Sequence, residues 1–435
     1  MNKYQSYKPS GVEWIGEIPS GWIIGRLGYF SNVYRGSGYQ YLNQVDDYFE
    51  KRKERVVRIG DITEFNPIWC EYVEQFENYR IKKDEILVGG TGHYFGKSIY
   101  VTDEMEGLIH SYNIIRLVIK NQCSKYIQYY LSSSMIREQM DMSVLGSGQP
   151  FIDLQGLKDL IILIPEYKEQ YQIVQFLEEK TELIDKLIST KERKITLLRE
   201  QRTSLINQVV TKGLNPNVKM KKSGVEWIGE IPEHWITLGF TKIIKIRHGY
   251  QFREYDFTDE GIKIVKITQL DKDGYLNLDN CSFINDNRLD EFERILIKEN
   301  DVLMCLTGGT IGKIIKVGKV TEPLVQNYRV GHFSPLNNNI SNDYVFWYMT
   351  SSLTTSQMFS EIRETGQPNI GMEDFGKMKV ILPPLSEQIE IVKLLELKTK
   401  EIDDLVQLEK NKIDLLKEYR QSLISEVVTG KIKVT

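Results

Sequence analysis

The chain has 435 residues, 41% of them hydrophobic and 27% charged, which is enough for several folded domains with cores of their own. No apolar run approaches membrane-spanning length, and the opening MNKYQSYKPSGVEW lacks the apolar centre of a signal peptide, so a cytoplasmic protein is expected. The net charge of -4 argues against indiscriminate coating of nucleic acid but leaves room for a local basic face, while Cys70, Cys123, Cys281 and Cys305 form no C-x-x-C pair and so imply neither a disulfide framework nor a zinc site.

Read in chain order, the sequence repeats itself. Ser10 to Trp22 reads SGVEWIGEIPSGW and Ser223 to Trp235 reads SGVEWIGEIPEHW, an offset of 223 − 10 = 213 residues. GQPFIDLQGLKDLIILIP (Gly148 to Pro165) returns as GQPNIGMEDFGKMKVILP (Gly366 to Pro383), an offset of 366 − 148 = 218. A period above two hundred residues is domain duplication rather than a solenoid, and two copies in one chain imply pseudo-twofold symmetry. Between the repeated elements lie stretches that match poorly, about Ile23 to Leu145 and Ile236 to Arg363, each long enough for one domain core. Constant framework and variable reader are thereby separated.

In the first variable stretch, Val56 to Ile59, Glu85 to Val88, Ser98 to Val101 and Ile114 to Ile119 predict short strands, and Tyr126 to Met140 predicts a helix. The second echoes them with strands at Ile262 to Ile267, Asp301 to Leu306, Lys313 to Val317 and Tyr328 to Phe333, and a helix at Asn342 to Ile362. After each GQP element the period changes. From Tyr167 to about Lys212, apolar residues recur at Leu177, Ile184, Leu187, Ile195, Leu198, Leu205 and Val209, and a twin from Leu385 to Val428 repeats them at Leu395, Ile402, Leu405, Ile413, Leu416, Leu423 and Val427. Gly213 and Gly430 stand where C-terminal caps belong. The expected fold is mixed α+β: two sheet-containing α/β recognition domains joined by two long helices packed as an antiparallel coiled coil, a pseudo-twofold duplication. The domain boundaries follow as residues 1–150 (first conserved element and recognition domain), 151–222 (central long helix), 223–365 (second recognition domain) and 366–435 (distal long helix).

WIGEIP ahead of each variable stretch, the glycine turns TGHYFGK (Thr91 to Lys97) and TGGTIGK (Thr307 to Lys313), the GQP elements and the helix entry PPLSEQIEIV (Pro383 to Val392) fall in order and repeat. Together they resemble the specificity subunit of type I restriction-modification enzymes over essentially the whole chain. The resemblance implies a non-catalytic subunit with two target recognition domains that reads a bipartite, asymmetric site on double-stranded DNA. It further implies docking of two adenine methyltransferase subunits, joined by restriction subunits. A coiled-coil assembly scaffold whose variable domains bind protein is the alternative.

Other chemistry finds little support in the residues. Thr91 to Ser98, TGHYFGKS, lacks the first glycine of a phosphate-binding loop, and its twin Thr307 to Ile314 also lacks the magnesium-holding Ser/Thr, so a glycine turn between strands is expected. Asn66-Pro67-Ile68-Trp69 has no counterpart in the second copy and reads as a surface turn, while His93, His110, His234, His248 and His332 show no metal-ligand spacing. No catalytic residue, cofactor or metal is expected.

DNA-contacting candidates are Arg35, Tyr39 and Gln40, the basic run Lys51, Arg52, Lys53 and Arg55, and His93 with Tyr94 in the first copy. In the second they are Arg247, His248, Tyr250, Gln251 and Arg253. Gln suits adenine and Arg suits guanine or phosphate, although matched positions in two modules suit framework as readily as readout. Gln149 and Gln367 suit either an approach to DNA or pinning of their loop against the helix, and the second role is expected. Leu183, Ile188, Leu197, Val406 and Leu408 widen the helical stripe beyond a two-helix seam and are candidates for methyltransferase contact.

Overall fold

The computed structural model describes residues 3–38, 42–143, 150–225, 228–271, 274–361 and 369–434. It divides into two compact units, one built from Met1–Glu192 with Lys410–Thr435, the other from Arg193–Glu409.

Each unit is built around a four-stranded antiparallel sheet. In the first the order is Ser31–Arg35, Ile114–Ile119, Ile86–Gly89, Ser98–Tyr100. In the second it is Ile244–His248, Val330–Pro335, Val302–Cys305, Ile314–Lys316. A three-stranded sheet accompanies each. Lys53–Val57 pairs antiparallel with Ile68–Glu71 and parallel with Ile109–His110, and Ile262–Val265 pairs antiparallel with Ser282–Ile284 and parallel with Leu324–Gln326. Strand for strand, the two units share one topology. The strand at Ile68–Glu71 differs from the turn expected at Asn66 to Trp69, because Ile68 pairs with Val56 and Trp69 with Arg55. The helix expected from Tyr126 to Met140 is two, Ser124–Leu131 and Ser134–Ser143, and its twin is also two, Asn342–Thr350 and Ser352–Glu361. Serines make both breaks: Ser132 Oγ donates to Gln128 O and Ser351 Oγ to Tyr348 O, the local competition for backbone that disfavours serine inside a helix.

The WIGEIP elements fold as small hairpins, Tyr7–Pro9 with Glu17–Pro19 and Met220–Lys222 with Glu230–Pro232. Each delivers a buried tryptophan to the first turn of a long helix. Trp22 Nε1 donates to Glu169 Oε2 at 3.1 Å, and Trp235 Nε1 to Glu387 Oε2 at 2.9 Å. A fully buried glutamine one residue on completes the clamp. Gln170 accepts from Cys123 N and donates to Pro165 O, and Gln388 accepts from Ser341 N and donates to Pro383 O.

The long helices run Tyr167–Lys212 and Leu385–Val428, 46 and 44 residues, so each is about 65 to 70 Å long. Their residues 167–192 and 410–428 belong to the first unit, and residues 193–212 and 385–409 to the second. Within each unit the two segments pack antiparallel. Leu177 and Ile184 share the first core with Leu423, Ile424, Val427 and Val428, and Asp185 pairs with Arg420 at 2.9 Å. Ile206, Val209 and Val210 share the second core with Ile391, Val392 and Leu395, beside Lys194–Glu409 (2.9 Å) and Arg202–Asp403 (3.1 Å). The apolar stripe is not purely apolar. Leu187 and Leu405, expected inside, are exposed, while Thr181 and Thr399 are buried with their hydroxyls donating to Leu177 O and Leu395 O. The hydroxyls are satisfied within their own helix, so their burial leaves no polar group unpaired.

Candidate nucleic-acid interface

At one end of each four-stranded sheet, four backbone features meet. In the first unit the edge strand ends at Arg35 and turns through Gly36, where a Cβ would lie 2.3 Å from Ser111 O, so only glycine allows the approach. Ser37 then bridges to Ser111. Beside it the glycine turn Gly92–Tyr94 lies against the turn Ile59–Ile62, the Tyr94 hydroxyl facing Gly60. Arg35 lies over the half-exposed rings of Tyr112 and Phe151, at 4.9 and 5.3 Å. His93 is exposed and stands edge to face with Tyr94, over whose ring Lys97 lies at 5.3 Å. Arg58 is exposed at the start of the neighbouring turn.

The second unit builds the same place from other residues. Gly249 takes the close approach, 2.0 Å from Gln326 O for a Cβ, and Tyr250 bridges to Asn327. Tyr250 packs with Phe252 and Phe292 in a cluster with centroids 5.0 to 5.3 Å apart, leaving part of its ring exposed. His248 occupies the strand-end position of Arg35, Tyr328 that of Tyr112, Lys266 that of Arg58 and Lys313 that of Lys97.

Arg35, His93 and Tyr94 therefore come together, as do His248 and Tyr250, with Gln251 and Arg253 exposed just beyond. Tyr39 and Gln40 lie outside the described residues, as do Gln149 and Gln367. Arg247 is half-buried: its guanidinium donates to Gln326 Oε1 and Leu296 O, and burial draws its pKa down despite the nearby Asp301. The basic run sits elsewhere on the three-stranded sheet. Lys51 pairs with Glu71, Arg52 with Glu54 and Glu77, and Lys53 donates to Asp46 O and Asp47 O. Arg80 joins this network, and its hydrogen bond to Glu77 is the main reason that carboxyl sits at about 2. Arg55 faces Trp69 across the strands, where the second unit sets Lys263 opposite Phe283. On the helices, Leu183, Leu197 and Leu408 are about half exposed, Val406 is partly buried, and Ile188 packs against the first core.

Sequence reading missed Arg58 with Lys266, Lys97 with Lys313 and Tyr112 with Tyr328. The lysines were visible, each following the last glycine of its turn, but the other pairs emerge only once strand register aligns the units. Among the described residues no cluster of His, Cys, Asp or Glu could hold a metal ion, and no helix is long and apolar enough to cross a membrane.

Residues 19–197 and again 232–418 match the family described as the type I restriction modification DNA specificity domain. The chain belongs to this family. It is similar to the specificity subunit of the type I restriction enzyme MjaVIII of Methanocaldococcus jannaschii, at 24% identity over 422 residues, 96% of this chain and 94% of the relative. It is also similar to the EcoKI specificity subunit of Escherichia coli, at 21% identity, covering 96% of this chain and 90% of that one. In structure it resembles a chain from the type I R-M system (TM-score 0.72, 15% identity, 95% of this chain and 99% of that one) and the HsdS subunit of Thermoanaerobacter tengcongensis (0.52, 15%, 95% and 98%). At such identity these two likenesses speak to the fold. The specificity domain is thus present twice, with the mixed α+β fold of the HsdS structures.

Proposed function

We propose that each unit reads one half of a bipartite, asymmetric site on double-stranded DNA through the sheet end that carries Arg35, His93 and Tyr94 in the first copy and His248, Tyr250, Gln251 and Arg253 in the second, with Tyr39 and Gln40 as further contacts suggested by the sequence. One observation carries this reading: two units with the same strand order hold the same backbone approach and different side chains at that end. Modules that recognise different sequences need this division, since phosphate contacts position a protein and base contacts specify. Lys51, Arg52, Lys53 and Arg55 supply phosphate contact from the neighbouring sheet, and Arg247 supports the reader from inside. The chain is non-catalytic and cytoplasmic. Two adenine methyltransferase subunits cover Leu183, Ile188, Leu197, Val406 and Leu408, and restriction subunits join them.

The test is an exchange of residues 23–145 for the matching segment of a relative, followed by methylome sequencing of cells that express the complete system. One half of the methylated motif changes and the other stays. If both halves change together, the units are not independent readers. For the partner surface, Leu197→Asp with Leu408→Asp abolishes methyltransferase co-purification while circular dichroism retains the long helices; unchanged co-purification refutes that assignment.

A further inference from the structure

We infer that the glycine turn of each unit is a readout cassette: a constant frame with a phosphate-binding lysine, Lys97 or Lys313, and a two-residue tip, His93-Tyr94 or Gly309-Thr310, that sets base preference in its half-site. The inference rests on the DNA-reading role proposed above and names which residues carry it.

The frame is the same in both units to the level of single hydrogen bonds. Phe95 N donates to Gly92 O and Ile311 N to Gly308 O; Gly96 N donates to Gly89 O and Gly312 N to Cys305 O; Lys97 N donates to Tyr94 O and Lys313 N to Thr310 O, all between 2.9 and 3.1 Å. Its bends rest on glycines at φ between +61° and +81°: Gly92, Gly96, Gly308 and Gly312. L side chains avoid that region, which explains why these four positions do not vary. The extended residues after each GQP element clamp the frame, through Ile152 N to Gly90 O and Ile370 N to Leu306 O, with both isoleucines buried and Thr91 and Thr307 bridging to Phe151 and Asn369. These hydrogen bonds, glycines and bridges are thus shared.

What differs is the tip. His93 and Gly309 are both exposed, while Tyr94 and Thr310 are half-buried and the Thr310 hydroxyl is turned inward, so the first tip presents an imidazole beside part of a phenol ring and the second presents a bare backbone. Burial does not demand the difference at the first tip position, which is exposed in both units. The lysine, by contrast, is retained in both units, and among the described residues neither ammonium pairs with a carboxylate. Lys97 lies over the Tyr94 ring of its tip, and the Lys313 ammonium is held by Leu270 O at 2.7 Å. Duplex DNA offers the same phosphates to both units and different base edges to each, and the turn has one constant cation and two variable residues to match. Rigid support of this kind is what a side chain needs in order to discriminate bases.

The experiment uses the full chain with its methyltransferase partner. His93→Gly with Tyr94→Thr, and reciprocally Gly309→His with Thr310→Tyr, are each followed by methylome sequencing, and K97A and K313A by DNA-binding titration at several salt concentrations. The tip exchange alters preference at one or two adjacent base pairs of one half-site, by about 5- to 150-fold in discrimination, leaving the other half and the spacing intact. Each lysine variant weakens all sequences alike, by about 3- to 10-fold, and lowers the slope of log affinity against log salt by about one. Active tip variants with unaltered motifs overturn the inference, as do lysine variants with an unchanged slope. If one tip exchange fails to fold, the reciprocal one in the other unit decides. Absence of any bipartite motif in the wild type would instead sink the DNA-reading role itself.

Discussion

The two sheets share every strand pairing, yet their polar interiors were settled differently. Beside the strand Ile86–Gly89 the first unit sets the buried Glu85 against a half-buried Arg116 at 3.8 Å; at the same place the second sets a half-buried Asp301 against the buried His332 at 3.1 Å. In the first unit Arg116, from the second strand, reaches the carbonyl of Arg80; in the second it is Arg247, from the edge strand, that reaches the equivalent carbonyl of Leu296. At the end of the parallel pairing the first unit holds His110 where the second holds Gln326. Gln326 satisfies its amide by donating to Arg247 O and Val330 O, whereas His110 binds Tyr79 O through Nδ1 and leaves Nε2 without a partner among the described residues. Topology therefore does not depend on which polar pair fills the interior. It depends on what both units keep: the tryptophan on its glutamate, the buried glutamine and the glycine approaches.

The largest effect should come from removing what is shared. Trp22→Ala and Trp235→Ala each delete a buried ring and strand a glutamate, costing about 3 to 5 kcal/mol by analogy with large-to-small core substitutions. Both should cost the same within about 1 kcal/mol, each in its own unit, as read by urea denaturation with hydrogen exchange resolved by segment. A cost under about 1 kcal/mol at either site would remove the tryptophan from the shared clamp.

Next in size is a difference between the units in acid. Burial, only partly offset by the bond to Tyr79 O, lowers the pKa of His110 from 6.5 to about 4. A histidine whose folded pKa is depressed contributes stability above its unfolded pKa and loses it as pH falls, so the first unit should lose about 3 kcal/mol between pH 6.5 and 4. Glu85 works the other way. Burial raises its pKa against the bond from Lys82 N and the charge of Arg116, so protonating it in acid recovers part of that loss. In the second unit Gln326 does not titrate. There Asp301 is pushed up by burial but drawn further down by His332, Lys298 N and Arg247, so its contribution is lost only below the ordinary aspartate range. Hydrogen exchange between pH 7 and 4 should show residues 109–117 opening while residues 324–333 stay protected, and His110→Gln should flatten the first profile. Parallel loss in both units would show that acid acts elsewhere.

Much of this was legible in the chain. The duplication, the long helices and their bounds follow from repeats and from a period near 3.6, which forty-odd residues make hard to mistake. The helix breaks at Ser132 and Ser351 were hidden because serine signals a break only when its hydroxyl turns back on the backbone, a choice that tertiary packing makes. Leu187 and Leu405 were assigned to the seam because the pattern counts apolar residues, while the seam took Thr181 and Thr399, which carry their own acceptors. For the candidate interface, His93, Tyr94 and Arg35 could be named from local motifs, but not that they meet. Their meeting depends on which strands neighbour which, and that long-range pairing leaves no trace in local sequence.

The smallest effect sharpens the comparison where the units look most alike. Both long helices end on a left-handed glycine packed against the buried tryptophan, Gly430 (φ +75°) on Trp22 and Gly213 (φ +69°) on Trp235. Alanine is strained at either φ by about 1 to 2 kcal/mol. The surroundings differ, however. A Cβ on Gly430 would fall 2.5 Å from Cγ and Cδ of Pro19 and 3.3 Å from the Trp22 ring, whereas the nearest atoms to one on Gly213 belong to the Trp235 ring and begin at 3.0 Å. Atoms forced to 2.5 Å must move, and proline is a poor candidate for moving because its ring fixes φ within a hairpin strand. Gly430→Ala should therefore cost about 1 kcal/mol more than Gly213→Ala, the added cost being overpacking. Truncating the proline separates strain from overlap. Pro19→Ala removes the two ring atoms in question, so Gly430→Ala should be less costly in that background by about 1 kcal/mol, while Pro232→Ala and Gly213→Ala in the other unit should combine additively. Equal coupling in both cycles would assign the whole cost to backbone strain and make the two helix ends equivalent in packing as well as in conformation.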